Sequence, residues 1–301
     1  MRNYLLFFLL LLFGVSAHSQ TRRITGEVTD ADEGTPIIGV TVMTVNSKSN
    51  VLSQQIKWAD QALLDFFIFS WDGSSTDNGL VEAFRNTRAT TNANVKYIIN
   101  YNTKHLNISN SKPLHSNEKL YAMISEFINT IASLFSDDSY YTVGNKPIIM
   151  ITPSNLSSSA MKSIDYSIVI LKLKEVMSEI GHELYIIGEL TTSWVVLVNY
   201  EDQQIYSFDG ITANDWSTNM YDRFYSFFSF VDFNWANWKR TFSDRGVNFI
   251  SCIFPSYNDR INSTSSYKYT FGQDGNTDDY IIFCNVAKRN IGKENIILIN
   301  S

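Results

Sequence analysis

The sequence predicts an α/β protein whose parallel strands form a (β/α)8 barrel of the TIM type. Three observations indicate this fold: apolar runs recur along the chain, each run ends on a polar or aromatic residue, and roughly 15 to 45 residues separate one run from the next. Strands buried on both faces are continuously apolar, and the intervals are long enough for crossover helices. The seven runs cover residues 64–71, 95–102, 146–152, 183–189, 204–210, 247–255 and 295–301.

Four segments carry apolar residues at helical spacing. They predict helices over residues 51–63, 117–135, 163–180 and 221–242. Gly181 follows the third helix at the position of a C-cap. The fourth is aromatic all round, which we interpret as core packing between the barrel and the surface rather than as a ligand box.

The barrel is incomplete as the sequence presents it. An eighth strand should precede the helix at residue 51, but polar residues 47–50 and an alternating segment occupy that place. The chain also stops as its last apolar run ends. We therefore expect a barrel that lacks its first strand and its C-terminal end.

The N-terminus has the pattern of an export signal. Arg2 supplies a positive charge, residues 5–13 form a nine-residue apolar run, and Ala17-His18-Ser19 is an acceptable cleavage site. We expect residues 1–19 to be removed and the mature chain to reach the periplasm or cell surface. The remaining chain divides into a β segment with a linker (residues 20–50) and the barrel (residues 51–301).

The segment after the signal alternates apolar and polar residues around a turn at Asp32-Glu33-Gly34, which predicts a β-hairpin. The stretches ITGEVTD (24–30) and GTPIIGV (34–40) resemble the opening of the carboxypeptidase-regulatory-like β-sandwich. That sandwich begins exported Bacteroidetes proteins, many of them outer-membrane TonB-dependent receptors. The resemblance implies association with an outer-membrane receptor.

Composition excludes some partners and leaves others open. The formal charge of −6 disfavours nucleic acid, because phosphate binding needs a basic face. The 16 Tyr, 20 Phe and 6 Trp suit either stacking on sugar rings or a large aromatic core. The four His residues show no metal-ligand spacing, and no phosphate loop or dinucleotide fingerprint is present, so we expect neither metal nor cofactor. Cys252 and Cys284 are either buried apolar residues or a disulfide.

The chemistry of a (β/α) barrel lies at the C-terminal ends of its strands. Carboxylates there suit glycosyl transfer, in which one group donates a proton and another acts on the opposite side of the sugar. Glu189 is the catalytic candidate, and Trp71 is the candidate for stacking on a sugar. The predicted substrate-binding residues are Trp71, Asp72, Tyr101, Asn102, His105, Glu189, Asp209, Tyr257, Asp259 and Arg260.

Structural alternatives stand beside three of these assignments. A neighbouring strand could satisfy Glu189 by hydrogen bonding. Asp209 precedes Gly210, so it could form an Asx-type turn. Asp259 and Arg260 are adjacent and could pair with each other across the barrel rim.

Residues 51–301 contain several further motifs: QQIKWA (54–59), DFFIFSW (65–71), KPIIMI (146–151), FDGIT (208–212), FPSYNDR (254–260) and the last strand, 296–301. In this order they resemble glycoside hydrolase families 99 and 71 and their WbsX-type relatives, with Ser256 where glycine is usual.

The resemblance implies an exported (β/α)8 glycosidase that acts on α-mannosides or related glycans with retention of configuration. In family 99 one carboxylate is thought to deprotonate the sugar 2-hydroxyl and a second acts as acid and base. Both belong to an Asn-x-Trp-Asn-Glu-Trp-like stretch after the last strand, which this sequence does not contain. The sequence thus predicts an impaired glycoside hydrolase; the alternatives are a non-catalytic glycan-binding or receptor-associated remnant, and a fused or truncated reading frame.

Overall fold

The computed structural model describes residues 40–42, 49–152, 164–190, 206–213, 226–255, 257–258, 270–271 and 277–299. Within these residues, eight parallel strands form the wall of a barrel and helices cover its outer side. The TIM-type α/β fold class that the sequence predicts is therefore confirmed.

The wall closes because β3 pairs with β5 and β1 pairs with β11. The barrel strands are β1 (Val40–Val42), β2 (Phe66–Trp71), β3 (Lys96–Asn102), β5 (Lys146–Thr152), β6 (Tyr185–Leu190), β7 (Gly210–Ala213), β8 (Asn248–Ile253) and β11 (Ile297–Ile299). A short β4 (Thr142–Val143) lies antiparallel to β5. A separate antiparallel pair consists of β9 (Tyr257–Asn258) and β10 (Thr270–Phe271).

The first barrel strand is present, which corrects the expectation that it is missing. Strand β1 pairs in parallel with β2 on one side and with β11 on the other. A barrel strand of three residues has the same alternation of apolar and polar residues as one arm of a hairpin. The sequence pattern therefore favours a hairpin over a barrel strand. The predicted hairpin covers residues 21–46, of which 21–39 and 43–46 lie outside the described residues.

Six α-helices are described, and each lies between strands of the wall. They are α1 (Ser49–Gln61), α2 (Ser75–Thr91), α3 (Asn117–Asn129), α4 (Tyr166–Glu179), α5 (Phe227–Ser243) and α6 (Asp278–Arg289). The predicted helix 117–135 ends at Asn129, and a 3-10 helix, η2 (Ile131–Ser136), follows it. A second 3-10 helix, η1 (Thr103–Leu106), directly follows β3. Within the described part of the chain, no helix combines the length and apolarity needed to cross a bilayer.

One predicted strand, residues 204–210, is wrong: the observed strand β7 begins at Gly210. The apolar side chains that suggested a strand pack on the helix layer instead. Phe208 is buried with its ring 5.5 Å from that of Tyr166 on α4, and the Arg245 guanidinium lies 4.3 Å above the Tyr206 ring. Apolar content reports burial here, and it does not distinguish a strand from the loop that leads into it.

The aromatic helix α5 is core, as interpreted from the sequence. Its side chains Phe227, Trp235, Trp238 and Phe242 are each at most 2% exposed. Trp235 stacks on Phe283 of α6 at 5.5 Å. Buried aromatic rings of this size contribute much of the stability of a core, so α5 binds the helix layer to β8.

Successive residues of each strand point to opposite sides of the wall, and this alternation divides the apolar core in two. One cluster packs between strands and helices and includes Phe67, Phe69 and Ile99. The other consists of strand residues that face the barrel lumen, including Ile68, Ile98 and Ile187. The neighbours in sequence of a lumen-facing strand residue therefore face the helices, and the neighbours of a helix-facing residue face the lumen.

The two cysteines belong to different clusters. Cys252 on β8 faces the lumen, whereas Cys284 on α6 is part of the helix-side core. Both are buried free thiols. Burial raises the pKa of each thiol, which makes the reactive thiolate scarce.

Candidate functional site

A layer of polar side chains lies in the lumen at the C-terminal ends of the strands. Each member follows a lumen-facing residue of its own strand by two positions, so it faces the same side of the wall. Asn100 follows Ile98, Thr152 follows Met150, and Glu189 follows Ile187. Among the described residues, the polar layer comprises Ser70, Asn100, Thr152, Glu189 and Thr212.

Hydrogen bonds join three members of this layer on three adjacent strands. The Thr152 hydroxyl is 2.8 Å from the Asn100 side-chain oxygen and also contacts Glu189 Oε2. Glu189 is 8% exposed. A buried carboxylate must be compensated by hydrogen bonds, and Thr152 supplies one of them. The layer therefore holds a carboxyl group in a fixed place at the inner mouth of the barrel.

Thr212 and Cys252 are two other lumen residues that lie near Glu189. Thr212 on β7 is opposite Glu189 in the strand register and is fully buried. Its hydroxyl has no hydrogen-bond partner among the described residues. Cys252 on β8 is close enough that the negative charge of Glu189 adds to the effect of burial in raising the pKa of its thiol. Ser70, on the opposite side of Asn100 in the register, is exposed at the mouth.

Two predicted site residues face the helices instead of the lumen. Trp71 is 2% exposed, and its Nε1 donates a hydrogen bond of 2.8 Å to Asn78 Oδ1 on α2. Tyr101 is fully buried, with its ring 5.7 Å from that of Trp71. Both are odd-numbered neighbours of lumen residues, so the pleat turns them outward. In this structure neither ring is an open platform for a sugar.

Tyr101 is part of a polar cluster behind the wall. Its hydroxyl donates to Glu126 Oε2 at 2.5 Å, and His105 Nε2 lies 3.0 Å from both oxygens of that carboxylate. His105 Nδ1 also lies 3.1 Å from the backbone oxygen of Asn102, which can only accept a hydrogen bond. Burial, followed by the bond to Glu126 and its charge, raises the pKa of Tyr101 far above its usual range. The cluster fixes α3 to the end of β3.

Asp72 and Asn102 stabilise turns at the rim. Asp72 Oδ1 accepts from the Ser74 backbone N–H at 3.2 Å, and Asn102 Oδ1 accepts from the Lys104 backbone N–H at 3.0 Å. The hydrogen bond from Asp77 is the largest influence holding the pKa of Asp72 below its ordinary value. Burial, in turn, raises the pKa of Asp77. The Asn102 side-chain oxygen caps η1, which follows β3, whereas α2 is capped by Ser74, whose backbone N–H bonds to Asp72.

Asp209 lies at the opposite end of the barrel from the polar layer, which corrects its prediction as a residue at a strand's C-terminal end. It precedes the first residue of β7, accepts a hydrogen bond of 2.8 Å from the Ile186 backbone N–H and lies 2.8 Å from Lys174 Nζ. The error follows from the misplaced strand 204–210. Asp209 thus links α4 to the N-terminal end of the strands.

The structure does not describe the side chains of the last three predicted site residues, Tyr257, Asp259 and Arg260. Tyr257 begins β9, opposite Phe271 of β10, but its side chain is not described. Asp259 and Arg260 lie outside the described residues. Their assignment stays a prediction. Asn100 and Thr212, in contrast, were missed, although counting in twos from the lumen residues would have found Asn100.

A cavity of about 850 Å³ lies elsewhere, on the outer flank of the barrel beside α2. Both arginines in its lining are already engaged: Arg85 pairs with Asp137, and Arg88 Nε donates to the Val95 backbone oxygen at 2.8 Å. None of the polar layer lines this cavity. We therefore place the candidate site at the lumen mouth, where a buried carboxyl faces the barrel interior.

The fold is similar to that of two solved structures. One is described as a glycoside hydrolase-like protein; the TM-score is 0.72 at 21% identity, over 93% of this chain and 86% of that chain. The other is a GH5-4 broad specificity endoglucanase from Clostridium longisporum, with a TM-score of 0.53 at 11% identity over 85% of this chain and 76% of that chain. No protein-family model and no curated protein match the chain. The fold is thus a TIM-type barrel similar to those of these two proteins, and the particular resemblance to families 99 and 71 stays a prediction.

Proposed function

We propose that this protein is an exported glycoside hydrolase-like barrel that takes up a glycan at the C-terminal mouth of its lumen. We further propose that it hydrolyses this glycan poorly or not at all. The observation that carries the proposal is the polar layer around Glu189, because it lies where barrels of this kind hold their substrates. Hydroxyl, amide and carboxyl groups in one layer suit a ligand that is rich in hydroxyl groups.

The proposal of weak hydrolysis rests on the number of carboxylates at lumen-facing strand positions in the described part of the chain. Glycosidases use a pair of carboxyl groups about 5 to 10 Å apart across the scissile bond. Glu189 is the only acidic residue at a lumen-facing strand position within the described residues. Asp72 is engaged in its own turn, and Asp209 is at the far end of the barrel. One carboxylate can bind and polarise a sugar, but it cannot serve both sides of the bond.

The resemblance to families 99 and 71 supports an α-mannoside as the substrate or ligand. The alternative is a non-catalytic glycan-binding or receptor-associated protein, which the resemblance of residues 24–40 to the start of outer-membrane receptors favours. The two differ in what Glu189 does. In a hydrolase-like site this carboxyl bonds to the sugar at the reacting centre, whereas in a simple binding surface it supports the wall.

The test uses the full chain, yeast α-mannan as the probe and Glu189→Gln beside Glu179→Gln, an exposed control on α4. Calorimetry should show mannan binding that Glu189→Gln weakens about tenfold or more, since a hydrogen bond to a charged group is lost. Glu179→Gln should leave the affinity unchanged. Affinity that survives Glu189→Gln would support the alternative.

Release of reducing sugar from the same mannan tests the second part of the proposal. The wild type should show little or none. Turnover that disappears in Glu189→Gln would overturn the proposed impairment, because it would show that this carboxyl is part of a working catalytic pair. Export is tested separately: the intact mass of the secreted protein should correspond to a chain that begins at Gln20.

A further inference from the structure

The hydrogen-bond chain beside Glu189 has fewer hydrogens than its geometry requires. A threonine hydroxyl carries one hydrogen, yet the Thr152 oxygen is within bonding distance of both Asn100 Oδ1 and Glu189 Oε2, and both of these are acceptors when Glu189 is ionised. One hydrogen cannot satisfy both. Two arrangements keep the Thr152 hydrogen within this chain and satisfy both contacts.

In the first arrangement Glu189 is ionised. Thr152 then donates to the carboxylate, and the Asn100 amide turns so that its Nδ2 donates to the Thr152 oxygen. In the second, Glu189 is protonated and donates to Thr152, which donates in turn to Asn100 Oδ1. The two arrangements differ by one proton on Glu189 and by a half-turn of the Asn100 amide.

The position of Asn100 gives this half-turn a consequence for the ligand. Asn100 is partly exposed and lies in register between the exposed Ser70 and the lumen residue Met150. The amide atom that does not bond Thr152 is an oxygen when Glu189 is ionised and an NH2 group when Glu189 is protonated. A hydroxyl of the ligand would meet an acceptor in the first case and a donor in the second.

We propose that Thr152 and Asn100 are positioning residues that couple the protonation of Glu189 to the hydrogen-bond polarity of the barrel mouth. Thr152 carries the proton that links the two groups, and Asn100 presents the result to a polyhydroxylated ligand. The part that concerns the ligand rests on the proposed function, whereas the coupling itself is a property of the protein alone. Of the described groups around Glu189, Thr212 does not titrate, and burial keeps the Cys252 thiol neutral by raising its pKa.

The coupling can be measured by NMR in the ligand-free protein, so its failure is separate from a failure to bind glycan. The side-chain carboxyl of Glu189 is assigned by its loss in Glu189→Gln, and the Asn100 amide by its loss in Asn100→Asp. In the wild type both signals should titrate with one common midpoint. Thr152→Ser keeps the hydroxyl and should keep this common midpoint.

Thr152→Val removes the hydroxyl at nearly constant volume. The Asn100 amide should then stop following Glu189, and the Glu189 midpoint should rise by about one to two pH units, because the carboxylate loses a donor. An Asn100 amide that does not move with Glu189 in the wild type would overturn the proposal. The same holds if Thr152→Val leaves both titrations as they were. If the valine variant does not fold, the wild-type titration alone still tests whether the Asn100 amide follows the protonation of Glu189.

Discussion

Ser70 and Trp71 are consecutive at the end of β2, yet they face opposite sides of the barrel wall. Ser70 is exposed at the lumen mouth, whereas Trp71 is 2% exposed and bonded to Asn78 behind the wall. The pleat of the strand imposes this division, because successive side chains alternate between its two faces. A strand-end position is therefore insufficient to identify a site residue unless the face is also known.

Trp71 should contribute to stability and not to glycan contact. Trp71→Phe keeps a ring in the core but removes the indole donor to Asn78, which should lower the free energy of unfolding by about 1–2 kcal/mol. Trp71→Ala should cost about 3–5 kcal/mol because it leaves a large cavity. Urea denaturation gives both values. A folded Trp71→Phe variant that loses glycan affinity at unchanged stability would show that the ring touches the ligand.

Tyr101→Phe tests the polar cluster behind β3. The hydroxyl donates to Glu126 at 2.5 Å in a buried place, so its removal should destabilise the protein by about 1.5–3 kcal/mol, the range for a bond to a charged group. A double-mutant cycle with Glu126→Gln should show that the two effects are not additive. Additive effects would mean that the bond is unimportant in solution.

Asp209→Asn should weaken the entry side of the barrel without altering ligand binding. The carboxylate loses its charge opposite Lys174, a partly exposed pair, so the expected loss is up to about 1 kcal/mol. Asp209 precedes Thr212 by three residues, about 10 Å along the strand from the polar layer. Thermal unfolding should therefore show a lower stability for Asp209→Asn, whereas calorimetry should show an unchanged affinity for mannan. A loss of mannan affinity without a loss of stability would show that Asp209 belongs to the ligand-binding site.

Asp137 should make the stability of the protein depend on acid pH. Burial alone would raise its pKa, but hydrogen bonds from Ser139 and the charge of Arg85 outweigh burial and lower it. A carboxyl with a lowered pKa in the folded state contributes stability above its unfolded pKa of about 3.9, and this contribution is lost as the pH falls through the folded value. Ser139→Ala should reduce the loss of stability between pH 7 and pH 3.

The control for this prediction is the next residue along the chain. The side chain of Asp138 is 92% exposed, whereas that of Asp137 is 8% exposed. Asp138→Asn should therefore leave the acid dependence almost unchanged. An equal response of the Asp138 and Ser139 variants would mean that general surface charge, and not the buried Asp137, sets the acid limb.

The strands that could be predicted from sequence are those with long apolar runs. Lys146–Thr152 has the predicted bounds, because five of its seven residues are buried. Strands β1 and β7 could not be predicted, since three or four residues with Thr or Gly among them carry no distinct apolar signal. Strands β1 and β7 form because they pair with longer neighbouring strands. The apolar pattern of one short segment does not reveal such pairing.

The positions of the polar-layer residues could be predicted only in part, for a similar reason. Glu189 lies at a strand end and faces the lumen, as a candidate should. Asn100 lies inside a run that reads as apolar, so only its alternation with Ile98 reveals that it belongs to the same layer. The bonds that join it to Thr152 connect different strands, and these contacts depend on register. The register between two parallel strands depends on how their apolar faces pack together, which neither strand shows by itself.

Calorimetric titration of α-mannan into the wild type, Ser70→Trp and Ser243→Trp tests whether glycan binds at the lumen mouth. Ser70 is exposed at the lumen mouth, whereas Ser243 is an exposed residue at the end of α5, near the N-terminal end of β8. The wild type and Ser243→Trp should bind equally, and Ser70→Trp should bind about tenfold more weakly or not at all, since the indole fills the mouth. Equal binding by all three proteins, or no binding by the wild type, would contradict a glycan site at the lumen mouth.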